Sequence, residues 1–232
     1  MKILVIMPTL NESHNVTIQY KKIRQCLINS YILFVDDNSS DGTISEIKNL
    51  QKKDKKINLI VRSGKLGIGS AHKDAFKFAY KKKFDIAVTL DADGTHDPLK
   101  IPTMLKFIKN YEIIITNRFK NKKALKNWHW MRKLLTLLRY YLINFVLEID
   151  FDTSGAFRCY NLRKISLKHL LQAKNNSYSF FWESTHILNK LKYKIKEIPI
   201  ILPYRKIGIS KMNFTDILSA LMYLFYYYVK KI

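Results

Sequence analysis

Five short apolar runs, at residues 3–7, 32–35, 57–61, 85–90 and 113–116, alternate with longer amphipathic stretches that begin near residues 16, 43, 69 and 100. Strand-length runs alternating with helix-period stretches predict an α/β fold, a doubly wound, mainly parallel sheet flanked by helices, because parallel neighbours need a helical crossover on one face or the other. In such a sheet ligands bind beyond the carboxyl ends of the strands. The polar chemistry of this chain follows its strands. Pro8-Thr9-Leu10-Asn11-Glu12 comes after the first and Asp36-Asp37-Asn38-Ser39-Ser40-Asp41-Gly42-Thr43 after the second. Arg62 with Gly64, Gly67 and Gly69 follows the third, Asp91-Ala92-Asp93-Gly94-Thr95-His96-Asp97-Pro98 the fourth, and Asn117-Arg118 the fifth.

The second half changes character. Residues 99–139 carry eleven Lys or Arg against one acid, Glu112, interleaved with Trp128, Trp130 and a Leu-rich stretch at 134–147, which predicts a basic, amphipathic surface element. Asp152-Thr153-Ser154-Gly155 then leads into a strand at 156–160, a helix at 181–191, a strand at 195–202, the segment Arg205-Lys206-Ile207-Gly208-Ile209-Ser210-Lys211 and a final apolar helix. The expected organisation is one catalytic domain over 1–213, with a nucleotide-binding half at about 1–118 and an acceptor half at about 119–213, and an apolar helix over 214–232 that either docks on a membrane or partner or closes the core. The apolar stretch at 217–229 falls short of the roughly 20 residues that span a bilayer. The run at 3–7 ends at Pro8, too short for an export signal. Cys26 and Cys159 are too few for a disulfide framework, which fits a reducing, cytoplasmic setting.

The formal net charge is +23, from 41 Lys and Arg against 18 Asp and Glu. Such an excess favours anionic partners: nucleic acid, an acidic membrane surface or phosphorylated substrates. It is lysine-heavy, with eight Arg, and compositional bias on solvated helix faces produces the same signature. Acids clustered at three strand ends weigh against a nucleic-acid-binding protein, since they repel phosphates unless a cation intervenes.

Asp91 and Asp93 lie two apart where a strand ends, so extended chain aims both carboxylates the same way. Two hard oxygen ligands suit Mg²⁺ or Mn²⁺ with phosphate oxygens and water completing the shell, although acids at strand ends are more often solvated or capping. Asp97 before Pro98 reads as a helix cap. His96 is as consistent with a surface residue as with a site residue. Asp36 and Asp37 can accept hydrogen bonds from a base or ribose, or close a turn. The three glycines are too loosely spaced for a dinucleotide fingerprint and read as a tight turn.

Taken together and in order, PTLNE, VDDNSSDGT, RSGKLGIGSA, LDADGTHDP, NRF, DTSGAFR and EIPI followed by YRKIGISK resemble the inverting family-two glycosyltransferases of GT-A (Rossmann-like) fold. Within them the chain is most similar to dolichyl- or polyprenyl-phosphate mannose synthases lacking a transmembrane domain. The resemblance implies a nucleotide-sugar pocket of Pro8, Leu10, Glu12, Val35, Asp37, Asp91 and Ala92, a metal (Mg²⁺ or Mn²⁺) on Asp93 with Asp91 beside it, and Arg118, Arg205 and Lys211 at donor phosphate or acceptor. Arg132 is the weaker match for an acceptor-side arginine. The chain departs from the family at Leu10, where relatives commonly carry an aromatic, and at Thr95, where they carry Gln as a further ligand.

The implied reaction is inverting transfer of a hexose, mannose from GDP-mannose by preference, to a polyprenyl or dolichyl phosphate at the cytoplasmic face of a membrane, with a membrane-protein partner possible and no nucleic acid. A phosphate monoester has a second pKa of about 6 and is already an anionic nucleophile, so it needs cations to hold it and no general base. Transfer to a sugar hydroxyl is the alternative; it needs a carboxylate base, and Glu183 in FFWESTH is the acid placed to serve.

Overall fold

The computed structural model describes residues 1–121, 124–125, 128–203 and 214–230. Seven strands form one sheet: β1 (Ile3–Thr9), β2 (Tyr31–Asp36), β3 (Ile57–Val61), β4 (Ile86–Thr89), β5 (Ile113–Asn117), β6 (Arg158–Asn161) and β7 (Ile195–Pro199), in the order β3-β2-β1-β4-β6-β5-β7. All neighbouring pairs are parallel except those of β6, which runs antiparallel to both β4 and β5.

Strands β1, β2, β4 and β5 read as apolar runs because the sheet is covered on both faces there. Leu4, Ile6, Leu33 and Val35 point to the face packed by α3 (Ile68–Lys81) and α7 (Phe180–Lys190), through Ala71, Ala75, Phe76 and Phe180. Val5, Met7, Ile32 and Phe34 point to the other face, covered by α1 (Ser13–Cys26), α2 (Thr43–Lys53) and α4 (Ile101–Phe107) through Val16, Ile23, Ile47, Ile101 and Met104.

Helix starts follow local chemistry. Asp97 caps the 3-10 turn Pro98–Lys100, accepting the Leu99 N–H at 3.2 Å, with Pro98 in the first helical position as expected. Helix α1 begins three residues ahead of the first apolar position at Val16, because its start is held from outside. The Glu12 N–H donates to Thr43 Oγ1 and the Ser13 N–H to Asp41 Oδ2, at 2.8 and 3.1 Å. Strand β7 stops at Pro199, where its parallel neighbour β5 ends at Asn117, so the strand expected over 195–202 is shorter.

Between β5 and β6 the chain makes a long excursion that includes α5 (Trp130–Leu147), and the small helix α6 (Leu167–Leu170) follows β6. Ile143 and Leu147 of α5 join Trp182 of α7 and Leu224 and Tyr227 of α8 (Phe214–Val229) in a small separate core. Much of the remaining surface of both helices is uncovered: Leu135 and Leu138 on α5 and Leu221 and Met222 on α8 are exposed, Phe145 and Phe225 at 84% and 70%. Helix α8 therefore both packs and exposes apolar surface. No helix among the described residues is long and apolar enough to cross a membrane.

Candidate active site

The carboxyl ends of β2, β1 and β4 lie side by side. Pro8 pairs in register with Val35 and Thr9 with Asp36, and the Leu90 N–H reaches Ile6 O at 3.1 Å, so Asp37, Leu10 and Asp91 emerge at neighbouring strand ends. Pro8 and Leu10 are half-buried there. Val35 and Ala92 are buried, Val35 wholly within the core cluster. Asp36 is consumed structurally, accepting from Thr9 Oγ1 at 2.6 Å and from Ser39 N and Oγ at 2.7 Å each. Asp37 meets Arg62, whose Nε donates at 2.6 Å while its terminal amines reach Ser70 Oγ and Gly67 O. Burial pushes the Asp37 carboxyl up, against the pull of Arg62. Glu12 accepts from Asn15 Nδ2 at 2.7 Å at the start of α1.

Past β4, Gly94 turns with φ +81° and Asp93 Oδ1 accepts both the N–H and the hydroxyl of Thr95, at 3.0 and 2.6 Å. Thr95 thus braces Asp93 as an Asx-type turn. His96 is buried: its Nδ1 accepts the Asp91 N–H at 3.0 Å and its ring packs on Phe157. Burial lowers the ring to about 4; Asp93 raises it and Arg118 lowers it. The imidazole is therefore neutral and positions Asp91 through the backbone, which settles a residue whose role was open in the sequence. The described residues include no cluster of three or more His, Cys, Asp or Glu suited to a metal. Two carboxylates alone fit an ion of the Mg²⁺ or Mn²⁺ type, which takes one or two protein carboxylates and completes its shell with substrate phosphates and water.

Across the site, the Arg118 backbone N–H and Nε both donate to Asp152 Oδ2, at 3.0 and 2.9 Å. Burial pushes the Asp152 carboxyl up, but the Arg118 charge and hydrogen bonds from Arg118 and Ser154 outweigh it and hold it below the usual range. Glu197 orients the pair from behind, accepting from Asn117 Nδ2 at 2.8 Å and from the Asp152 N–H at 2.7 Å, and pairing with Lys120 at 2.6 Å. Phe157, whose carbonyl accepts from Thr116 Oγ1 at 3.0 Å, packs its ring on His96, which ties the end of β5 to the Asp91-Ala92-Asp93 loop. A cleft of about 390 Å³ runs along that loop, walled by Gly94, Thr95 and His96 and by the chain past β7 as far as Pro203. Arg205 and Lys211 lie outside the described residues. Arg132 is exposed at the start of α5, its guanidinium 4.2 Å from the Trp128 ring.

Glu183 is a poor fit for a general base. It is 1% exposed, and its two oxygens accept the N–H groups of Lys174 and Asn175 at 2.7 and 2.9 Å, fastening the segment ahead of α7. That segment lies against the glycine turn: a Cβ at Gly69 would stand 2.6 Å from Phe180 Cβ, and Gly67 turns with φ +94° against the Asn176 carbonyl. Asp152, Arg158 and Glu197 lie in the DTSGAFR and EIPI motifs but were given no role by the sequence. Arg158 is 1% exposed and donates to the Gly155, Thr153 and Phe181 carbonyls at 2.8 to 3.0 Å, so it is an internal brace. Asp152 had a signal, an acid in a Ser/Gly turn like those after β2 and β4.

A mainly parallel seven-stranded sheet with one reversed strand, acids beyond β4 and a braced arginine beyond β5, is the architecture of a GT-A-type glycosyltransferase. The glycosyl transferase family 2 model matches residues 4–168, and the chain belongs to that family. It is 27% identical over 214 residues to an undecaprenyl-phosphate mannosyltransferase of Micrococcus luteus, covering 92% of this chain and 88% of the relative. A polyprenol monophosphomannose synthase of Mycolicibacterium smegmatis is 27% identical over 221 residues, 94% of this chain and 83% of that one. Among solved structures, glucosyl-3-phosphoglycerate synthase of Mycobacterium tuberculosis with phosphoglyceric acid superposes with a TM-score of 0.65 at 14% identity, covering 99% of this chain and 79% of that chain. A mannosyltransferase of Pyrobaculum calidifontis in complex with GDP-Man and Mn²⁺ gives 0.58 at 17% identity, over 96% and 69%.

Proposed function

We propose that this glycosyltransferase moves a hexose, mannose by preference, from a nucleoside diphosphate sugar, GDP-mannose by preference, to a polyprenyl phosphate with inversion and without a dedicated general base. The observation that carries the reading is Arg118, clamped through Nε and backbone N–H by buried Asp152 so that the rest of its planar fork is held at the site. Both curated relatives are named for mannosyl transfer to such lipids. Two acids that could serve as a base are engaged in bracing: Asp152 holds Arg118 and Glu183 holds a backbone turn. An acceptor that arrives already anionic suits such a site.

Asp91 and Asp93 would hold a divalent cation, which supplies positive charge for the leaving diphosphate. Pro8, Leu10, Glu12, Asp37 and Ala92 border the nucleoside side, and Arg118 orients the acceptor phosphate. Arg205 and Lys211 are proposed at the diphosphate on the family resemblance alone. The apolar faces of α5 and α8, next to Arg132 and Lys133, would rest on an anionic leaflet, where each basic residue near the surface contributes about 1 kcal/mol.

The test incubates purified protein with Mg²⁺ or Mn²⁺, polyprenyl phosphate and radiolabelled GDP-mannose, UDP-glucose or UDP-N-acetylglucosamine in turn. Label is expected to partition into organic solvent, most strongly from GDP-mannose. Transfer from none of these donors would overturn the proposal.

A further inference from the structure

We propose that Thr95 is a positioning residue for Asp93 and not a ligand of the cation, and that the cation therefore binds well only in company with the nucleoside diphosphate. The inference rests on the reading above that Asp91 and Asp93 hold a divalent ion, and it gives a role to a position where this chain departs from its family.

The side chain of Thr95 is already engaged. Its hydroxyl donates to Asp93 Oδ1 at 2.6 Å, and its backbone N–H donates to the same oxygen at 3.0 Å. A separation of 2.6 Å belongs to a charge-assisted hydrogen bond from a hydroxyl to a carboxylate. Two oxygens that share one octahedral Mg²⁺ at right angles stand about 2.9 Å apart, since each lies about 2.0–2.1 Å from the ion. The Thr95 and Asp93 oxygens are spaced for a proton between them, not for a shared ion.

The rest of the loop is held in the same way, by protein partners. The Asp91 N–H donates to His96 Nδ1 at 3.0 Å, and the His96 carbonyl accepts from Gln19 Nε2 of α1 at 3.4 Å, with Gln19 wholly buried. Gly94, at φ +81°, lies over that helix: a Cβ on it would stand 3.9 and 4.0 Å from the Gln19 and Asn15 side chains. Asp97 Oδ1 ties off the loop on the Leu99 N–H at 3.2 Å. Protein hydrogen bonds alone thus shape the loop from Asp91 to Asp97.

A shaped loop lowers the ordering cost of binding but adds no ligand. With Thr95 turned onto Asp93, the loop offers two carboxylates, and the described residues include no cluster of three or more acids, His or Cys suited to a metal. An ion that requires six oxygens must then draw more of its shell from the donor's phosphates than it would beside a third protein ligand. Ion and nucleotide should therefore depend on each other, each tightening the other by the same factor.

Mn²⁺ binding to the full chain is followed through the electron paramagnetic resonance signal of the free ion, with and without GDP or UDP, the nucleotide's own Mn²⁺ binding being subtracted. The proteins are wild type, Thr95→Ser, Thr95→Val, Thr95→Cys and Asp93→Ala. One of the two nucleotides should tighten Mn²⁺ on wild type by about 10-fold or more. Thr95→Ser keeps the hydroxyl and should stay within about twofold of wild type, whereas Thr95→Val should weaken Mn²⁺ in the nucleotide complex about 10-fold. The affinity of Thr95→Val for the same nucleotide in EDTA should hold within about twofold, which separates loss of the brace from damage to the pocket. Thr95→Cys tests ligation directly: a thiolate in the ion's shell would favour Cd²⁺ over Mn²⁺ by more than about 10-fold, and the expected change in that preference is less than about threefold.

Mn²⁺ that binds wild type equally tightly without nucleotide, an unchanged Mn²⁺ affinity in Thr95→Val, or a large gain for Cd²⁺ in Thr95→Cys would each overturn the inference. Asp93→Ala separates it from the reading it rests on. Mn²⁺ binding that survives Asp93→Ala overturns the cation assignment and the role of Thr95 together. Mn²⁺ binding lost in Asp93→Ala but intact in Thr95→Val overturns the role of Thr95 alone.

Discussion

Replacing Asp152 by Asn removes the charge from the centre of the network around Arg118 and leaves its shape. The carboxylate is 1% exposed and receives four hydrogen bonds: Arg118 N and Nε at 3.0 and 2.9 Å, and Ser154 N and Oγ at 3.3 and 2.7 Å. An amide keeps one acceptor oxygen and turns two new donors toward a neighbourhood already crowded with donors. Breaking a buried ion pair costs about 3–5 kcal/mol, and because the Arg118 side chain retains 11% exposure the lower end, about 3 kcal/mol, applies. In a chain of this length each kcal/mol moves the melting temperature by about 2–4 °C, so a fall of about 6–12 °C is expected by differential scanning calorimetry. The Asp152 carboxyl titrates below the usual range, so its contribution is complete above about pH 4 and is lost as the pH falls through the lowered value; the gap between variant and wild type should close in acid. The double variant Arg118→Gln/Asp152→Asn should be no less stable than Asp152→Asn, since the stranded charge is gone. A melting temperature within about 2 °C of wild type at pH 7, or a double variant whose losses simply add, would refute the reasoning.

Chelation with EDTA, or Asp93→Ala, should lower transfer at least about 100-fold, with Mg²⁺ or Mn²⁺ restoring the wild type only; full activity in EDTA counts against the Asp91 and Asp93 assignment. Glu183→Gln should lower the melting temperature yet keep more than about a tenth of the turnover, whereas a base would lose 100-fold or more; initial rates at saturating substrate separate the two. His72 and His186 are buried and burial lowers both to about 4, so they bind protons only on unfolding: stability should be intact above pH 6.5 and decline toward pH 4, approaching about 1.4 kcal/mol per pH unit for each. Urea midpoints across that range should show a shallower decline for His72→Leu, and a parallel profile would contradict the assignment. Leu135→Glu with Phe145→Glu should abolish sedimentation with anionic phospholipid vesicles and leave the melting temperature within about 2 °C, since both side chains are exposed.

What the sequence made legible was local. The inner strands β1, β2, β4 and β5 announced themselves by apolar runs, because a sheet covered on both faces demands it, whereas edge strand β7, IKEIP, alternates. Asp97 and Pro98 announced their helix start because a cap and its helix are neighbours in the chain. Asp91 and Asp93 stood out for the same reason. The hidden parts depend on partners far apart in sequence. Asp152 holds Arg118 across 34 positions and Glu197 holds Asn117 across 80, and no spacing rule reveals either. The direction of β6 is equally silent, since a buried strand has the same pattern whichever way it runs. Glu183, the acid a hydroxyl acceptor would call on, fastens a turn through the Lys174 and Asn175 N–H groups, partners that the sequence does not show.

The reversal of β6 has a consequence for how such enzymes diversify. Asn117 ends β5 and Arg158 begins β6 at the same edge of the sheet, so residues 118–157 leave from that edge and return to it. The excursion behaves as a cassette: its length and helix content can be exchanged without shifting the register of any strand. Under the proposed function, grafting that segment from a relative with a different acceptor, with Asp152 and Glu197 kept, is expected to retarget the transfer.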